Sequence, residues 1–271
     1  ASNVAIGKNA LKLNQTGDSN ICIGVNSGDA LTAAGGCIAI GSDALGAVAT
    51  QDGTVAIGRQ ALQALTSGAY NTAIGYQAGL VMQDCQGNTL LGYETFKAAD
   101  SGEANNVVIG LSAGSAINSN GSDSNVIIGA SAGIGGAAAM ASCIAIGTNA
   151  MNATAANAQT GTVAIGTNAL TALTDGAGNT AIGKMALSAN ISGNYNVAIG
   201  ENTLTNTLAS NNVAISYEAL HENTTGEFNV AIGYESQKDA TTGSSNISLG
   251  MRSMQNRTTG SYNVAIGHEA L

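Results

Sequence analysis

The side chains able to do acid, base, nucleophilic or metal chemistry are few and scattered. His221 and His268 lie 47 residues apart in unrelated contexts, so each reads as a solvated surface histidine rather than a general base. Ser216 stands where glycine usually stands in a recurring tetrapeptide. No histidine or acid column accompanies it, so it reads as a small turn residue rather than a nucleophile. Cys22, Cys37, Cys85 and Cys143 form no CxxC pair and no zinc spacing, and read as small buried apolar residues. The many Gly-x-x stretches lack the lysine of a phosphate loop. Asp52-Gly53 and Asn120-Gly121 mark turns and lack the acidic pattern of calcium-binding repeats. These residues predict no enzyme, no cofactor and no metal centre.

Two further residue classes could face a partner. Sequons occur at Asn14, Asn120, Asn152, Asn190, Asn223, Asn246 and Asn256. Asn246 is expected to be buried, which leaves Asn120, Asn223 and Asn256 as the better glycan acceptors. Tyr76, Tyr93, Tyr217 and Tyr234 follow the glycine slot directly. Tyr70, Tyr195 and Tyr262, with Phe228, end the variable loop. Each ring either covers the edge of a neighbouring coil or belongs to a surface stripe that stacks on sugars. The first four are the candidate surface contacts.

What positions these residues is a repeat. Val-Ala-Ile-Gly or a near copy recurs along the whole chain, closing at Gly7, Gly24, Gly41, Gly58, Gly75, Gly92, Gly110, Gly129, Gly147, Gly166, Gly183, Gly200, Ser216, Gly233, Gly250 and Gly267. Ten of the fifteen intervals are 17 residues and none departs by more than two, a register that chance does not hold. The unit reads Asn-Val-Ala-Ile-Gly-x-x-Ala-Leu, then about five variable residues, then Gly-x-x. Its positions are numbered here from the Asn. That first position is Asn in twelve of sixteen copies, with Cys37, Thr54, Cys143 and Thr162 in the rest. The fourth is Ile in fourteen, with Leu91 and Leu249 as exceptions.

Val-Ala-Ile is short and β-branched, hence a strand. Alternation places the second and fourth positions on one face and Ala on the other. The expectation is that the Ile column lies inside each coil. Ala5, Ala56, Ala164, Ala198 and Ala231 then face another chain. The Gly that follows suits a turn with positive φ. Ala-Leu, as in Ala169-Leu170 and Ala219-Leu220, is expected to form a second short strand. Insertions such as Asn118 to Ser124 fall in the polar return loop.

Stacking brings like residues together. The expected ladders are amide (Asn71, Asn179, Asn196, Asn229), aliphatic (Ile74, Ile182, Ile199, Ile232) and glycine turns (Gly75, Gly183, Gly200, Gly233). The predicted fold is all-β: a parallel β-roll or β-helix solenoid of about sixteen 17-residue coils, one continuous array over residues 1–271. At about 4.8 Å per coil it is roughly 75 Å long. Neither end carries an atypical capping repeat. The array is therefore expected to continue beyond Ala1 or Leu271, through more coils, another domain or end-to-end stacking.

Composition agrees. The chain has no Pro, no Trp, 37 Gly, 3% aromatic and 9% charged residues, which suits a thin core repeated along an axis. At 44% hydrophobic it is not a disordered chain. The net charge of −9 comes with no Lys/Arg cluster, which excludes a nucleic-acid binder. No apolar run approaches a membrane span.

The repeat resembles the head repeats of YadA-like trimeric autotransporter adhesins. It is still more similar to the Ala-Ile-Gly-Tyr-Gln-Ala repeats of phage and large-virus fibre proteins. Asn71-Thr72-Ala73-Ile74-Gly75-Tyr76-Gln77-Ala78-Gly79 carries the resemblance best. It covers the whole chain, although adhesin head coils are shorter than 17 residues. The resemblance implies left-handed coils, a parallel homotrimer, an extracellular, cell-surface or virion-surface location, and a role in attachment. The expected function is a structural shaft or head scaffold whose partners are copies of itself and a cell-surface glycan or receptor. The alternative is a carbohydrate- or ice-binding solenoid, for which Thr224-Thr225, Thr241-Thr242 and Thr258-Thr259 would supply the threonine array.

Overall fold

A computed structural model describes residues 2–47, 52–153 and 158–271; Ala1 lies outside them. They fall into two compact units, Ala1–Ser142 and Cys143–Leu271. Among the described residues there is no helix, and none long and apolar enough to cross a membrane.

In residues 1–142 eight three-residue strands stack in parallel and in chain order. They are β1 (Val4–Ile6), β2 (Ile21–Ile23), β3 (Ile38–Ile40), β4 (Val55–Ile57), β5 (Thr72–Ile74), β6 (Thr89–Leu91), β7 (Val107–Ile109) and β8 (Val126–Ile128). A two-residue strand, β9 (Met140–Ala141), follows. The second unit opens with β10 (Ile144–Ile146) and the short β11 (Gln159–Thr160). It continues through β12 (Val163–Ile165), β13 (Thr180–Ile182), β14 (Val197–Ile199), β15 (Val213–Ile215), β16 (Val230–Ile232), β17 (Ile247–Leu249) and β18 (Val264–Ile266). Each unit is a parallel β-solenoid.

The register follows the repeat and ignores loop length. Val55, Ala56 and Ile57 pair with Thr72, Ala73 and Ile74 across a 17-residue step. Val197, Ala198 and Ile199 pair with Val213, Ala214 and Ile215 across a 16-residue step, so the deletion is absorbed in the return loop.

Two expectations are corrected. The pleat is the reverse of the one anticipated. Ala56, Ala164, Ala198 and Ala231 are fully buried inside their coils, and Ala5 in the first coil is exposed. Ile74, Ile182, Ile199 and Ile232 point outward, 36–38% exposed. They stack in register as expected, but on the outer face of the sheet. Opposite the small Ala, the ninth-position residues Leu62, Leu170, Leu187 and Leu220 reach in from the far side and fill the interior. In three coils a larger strand residue faces a glycine, Cys22 with Gly28, Val108 with Gly114, and Ile127 with Gly133; Leu90 instead faces Phe96, both fully buried, and room for that pair comes from Gly79 and Gly114 of the adjacent coils.

The Ala-Leu pair is not a strand. Ala186 N–H donates to Gly183 O at 3.3 Å, closing a tight turn with Met185 left-handed (φ +58°). Leu187, also left-handed (φ +53°), starts a second turn closed by Asn190 N–H to Leu187 O at 3.1 Å. A left-handed Leu costs about 1–2 kcal/mol. Burying its side chain returns about 1.5–3 kcal/mol, and its N–H bonds the next coil, Leu187 to Thr203 O at 3.0 Å.

Candidate functional surface

The first-position Asn closes the coil. Asn179 Nδ2 donates at 2.7 Å to the carbonyl of Gly193, at the end of its own coil's return loop. Its Oδ1 accepts the N–H of Asn196 in the next coil at 2.9 Å. Asn196 repeats this with Ala209 O (2.8 Å) and Asn212 N–H (3.0 Å), and Asn229 with Gly243 O (2.8 Å) and Asn246 N–H (3.0 Å). In the first unit Asn71 bonds Cys85 O at 2.7 Å and Asn88 N–H at 3.0 Å. The ladder expected from the sequence is present, but it runs chiefly from side chain to backbone. Direct amide–amide bonds join only some rungs, such as Asn106 to Asn88 and Asn125 to Asn106. Where threonine takes the slot, Thr54 and Thr162 bury hydroxyls with no hydrogen-bond partner.

The closing glycines are fixed twice over. Gly75, Gly183, Gly200 and Gly233 have φ between +136° and +143°. A Cβ on Gly75 would lie 2.1 Å from Gly92 O, and on Gly183 2.4 Å from Gly200 O. Ser216 is a serine in this slot, at φ +107°.

No cavity opens among the described residues, and no His/Cys/Asp/Glu cluster there is arranged to hold a metal. His221 Nδ1 lies 2.8 Å from Glu222 Oε1, its sequence neighbour, and His268 is 3.8 Å from Glu269. All four cysteines are buried; burial pushes the Cys22 thiol up to about 11, away from thiolate chemistry. Cys85 donates to Glu103 Oε2 at 3.1 Å inside the first unit. Desolvation raises the Glu103 carboxyl above its ordinary range, and Oε1 has no partner.

The tyrosines after the glycine slot pair off. Tyr76 stacks on Tyr93 with centroids 5.2 Å apart, and Tyr217 on Tyr234 at 5.3 Å. Arg252 of the following coil lies 6.0 Å from the Tyr234 centroid. Ring faces are thus spent on neighbours in adjacent coils. The threonine array is spent similarly, since Thr224 and Thr241 donate their hydroxyls to Thr241 O and Thr258 O at 2.9 Å.

Among the sequons, Asn120 and Asn256 are exposed and Asn246 is buried. Asn223 is corrected: it is fully buried, with Oδ1 accepting Gly226 N–H at 3.1 Å and Nδ2 donating to Gly226 O at 2.9 Å. Its spacing from glycine, shared by Asn190 and Gly193, is the signal that it belongs to a turn.

No protein-family model matches the chain, and no curated protein or solved structure is similar to it at a significant level.

Sequence reasoning overlooked a second polar ladder at the seventh position. Asn9 bonds Asn26 at 3.0 Å, Asn26 bonds Asp43 at 2.9 Å, and Gln77 bonds Gln60 at 2.8 Å. Its signal is the run of short amides and acids two residues past the glycine. The strongest unassigned feature is the outer sheet face. In each unit Val and Ile of the second and fourth positions stand half-exposed in rows, a continuous apolar surface on a regular backbone.

Proposed function

We propose that this chain is a structural shaft or head scaffold of an extracellular, cell-surface or virion-surface attachment fibre. In this reading the coils are left-handed and three chains run in parallel, and their contact is the outward Val/Ile face rather than the Ala column. One observation carries it: coil after coil repeats one plan, with a small strand centre turned inward, a β-branched or apolar pair turned outward and a closure built most often on Asn, and no cavity opens among the described residues. A β-branched surface in rows is costly to leave in water and suits burial against copies of itself.

The test is the mass in solution. Three copies of the 26.6 kDa chain are expected at micromolar concentration. Ile199→Asp combined with Ile232→Asp should release folded monomers, because both side chains point out of the coil. A stable wild-type monomer overturns the assembly. Loss of the β-sheet signal in the double variant would place these side chains inside the coil.

A further inference from the structure

The last residue of each coil, just before the Asn ladder, forms a column of its own. In residues 143–271 it runs Gly161, Gly178, Tyr195, Asn211, Phe228, Ser245 and Tyr262, so that from Tyr195 onward it is aromatic on every second rung and small and polar between. The three rings are open to solvent: Tyr195 is 65%, Phe228 57% and Tyr262 85% exposed, and Asn211 between them is exposed as well. Their backbone is left-handed, with φ of 56°, 58° and 60°, as in the rest of the column. Coil-to-coil bonds hold it, with Tyr195 N–H on Ala177 O, Asn211 N–H on Asn194 O, Ser245 N–H on Glu227 O and Tyr262 N–H on Ser244 O, all 2.9–3.1 Å. The Tyr195 ring lies over Gly178, where a Cβ would stand 2.7 Å from Cδ1.

We propose that this column is a binding track for an extended β-1,4-linked glycan. Rungs of a parallel sheet are about 4.8 Å apart, so rings on alternate rungs recur at about 9.6 Å. In an extended β-1,4-linked chain each sugar is turned over relative to the last, so like faces recur once per disaccharide, a repeat that two rungs match closely. The C–H face of every second sugar meets the electron-rich face of a ring. The small Asn211 and Ser245 leave room for the sugars between. Polar groups flank the track at the preceding position. Ser244 Oγ accepts Glu227 N–H at 3.1 Å and Ser261 Oγ accepts Ser244 N–H at 3.0 Å. Both serine hydroxyl hydrogens remain to donate to sugar oxygens, and the Glu227 carboxylate can accept from sugar hydroxyls. The stacked Tyr217 and Tyr234 lie on adjacent rungs, too close to admit a sugar between them. The track goes beyond the scaffold reading and does not depend on how many chains assemble.

The test is calorimetric titration of the full chain with cellohexaose and chitohexaose. Maltohexaose, whose α-links curve, is the control. At least one β-linked hexasaccharide should bind, and its disaccharide about tenfold more weakly because it meets one ring. Tyr195→Ala and Phe228→Ala should each weaken binding about tenfold. Tyr195→Trp and Phe228→Trp should retain it, and Tyr217→Ala should not change it. Asn211→Trp, which fills the gap between rings, should abolish it, so the proposal survives even if an alanine variant misfolds. No heat with either β-linked probe at millimolar concentration overturns the proposal. So does equal binding of maltohexaose, or full binding by a folded Tyr195→Ala/Phe228→Ala/Tyr262→Ala variant. Solution mass decides the scaffold reading separately.

Discussion

Ile127 occupies the space that a side chain on Gly133 would take: a Cβ built there stands 3.1 Å from Ile127 Cγ2. The same coil supplies both residues, so in this coil the interior volume is shared between strand and turn. Ile127→Ala should cost about 3 kcal/mol through the cavity it leaves. Gly133→Leu should cost about 1–3 kcal/mol by overpacking. Together they recreate the Ala and Leu of other coils, and left-handed Leu is already common at this position. The double variant should be more stable than the sum of the singles by about 1–2 kcal/mol. Denaturant titration of the four proteins checks this, and strict additivity would refute the shared-volume account.

Ser216 carries a side chain at φ +107°, where its counterparts are glycine. Ser216→Gly should stabilise the chain by about 1 kcal/mol, since relief of strain exceeds the added freedom of the unfolded backbone. A fall in melting temperature would show that the serine is held by something more than tolerance.

Removing the Asn179 amide leaves both the Gly193 carbonyl and the Asn196 N–H without their partner. Asn179→Leu should cost about 3 kcal/mol, and Asn196→Leu one coil on about the same. Thr162→Val removes a buried hydroxyl that has no partner and should gain about 1 kcal/mol. Stability curves for these three variants test whether damage follows coil position; a loss at Asn179 alone would mean that its coil is special.

Glu103 gives the first unit a pH dependence. Burial raises its folded pKa, while the unfolded carboxyl titrates in the ordinary range. Below that range both states hold the proton and the contribution is complete. As pH rises above it, the unfolded chain ionises first, and stability falls by up to about 1.4 kcal/mol per pH unit until the folded pKa is reached. Glu103→Gln should flatten this slope; an unchanged slope above the ordinary carboxylate range would place its origin elsewhere.

The repeat, the parallel register and the Asn and Gly columns were legible from spacing alone, because stacking forces equivalent residues together. The pleat was not. Larger apolar residues usually go inside, and that rule put Ile in and Ala out. A signal against it was in the sequence: in three of the five coils whose strand centre is not Ala, those of Cys22, Val108 and Ile127, the ninth position is Gly28, Gly114 and Gly133. The left-handed Leu was hidden too, since propensity disfavours it and only coil-to-coil bonding makes it regular. The glycan track could be found only once the alternate-rung spacing of Tyr195, Phe228 and Tyr262 was on a ladder of known rise.

The first-position Asn gives each array a direction of growth. Its Nδ2 fastens its own coil, and its Oδ1 serves only the coil that comes later in the chain, as Asn196 does for Asn212. A coil that has just fastened presents a fixed acceptor to the next segment to arrive. Structure within a unit can therefore advance one coil at a time from the amino-terminal side, keeping pace with a ribosome, because each addition needs only about 17 residues of new chain.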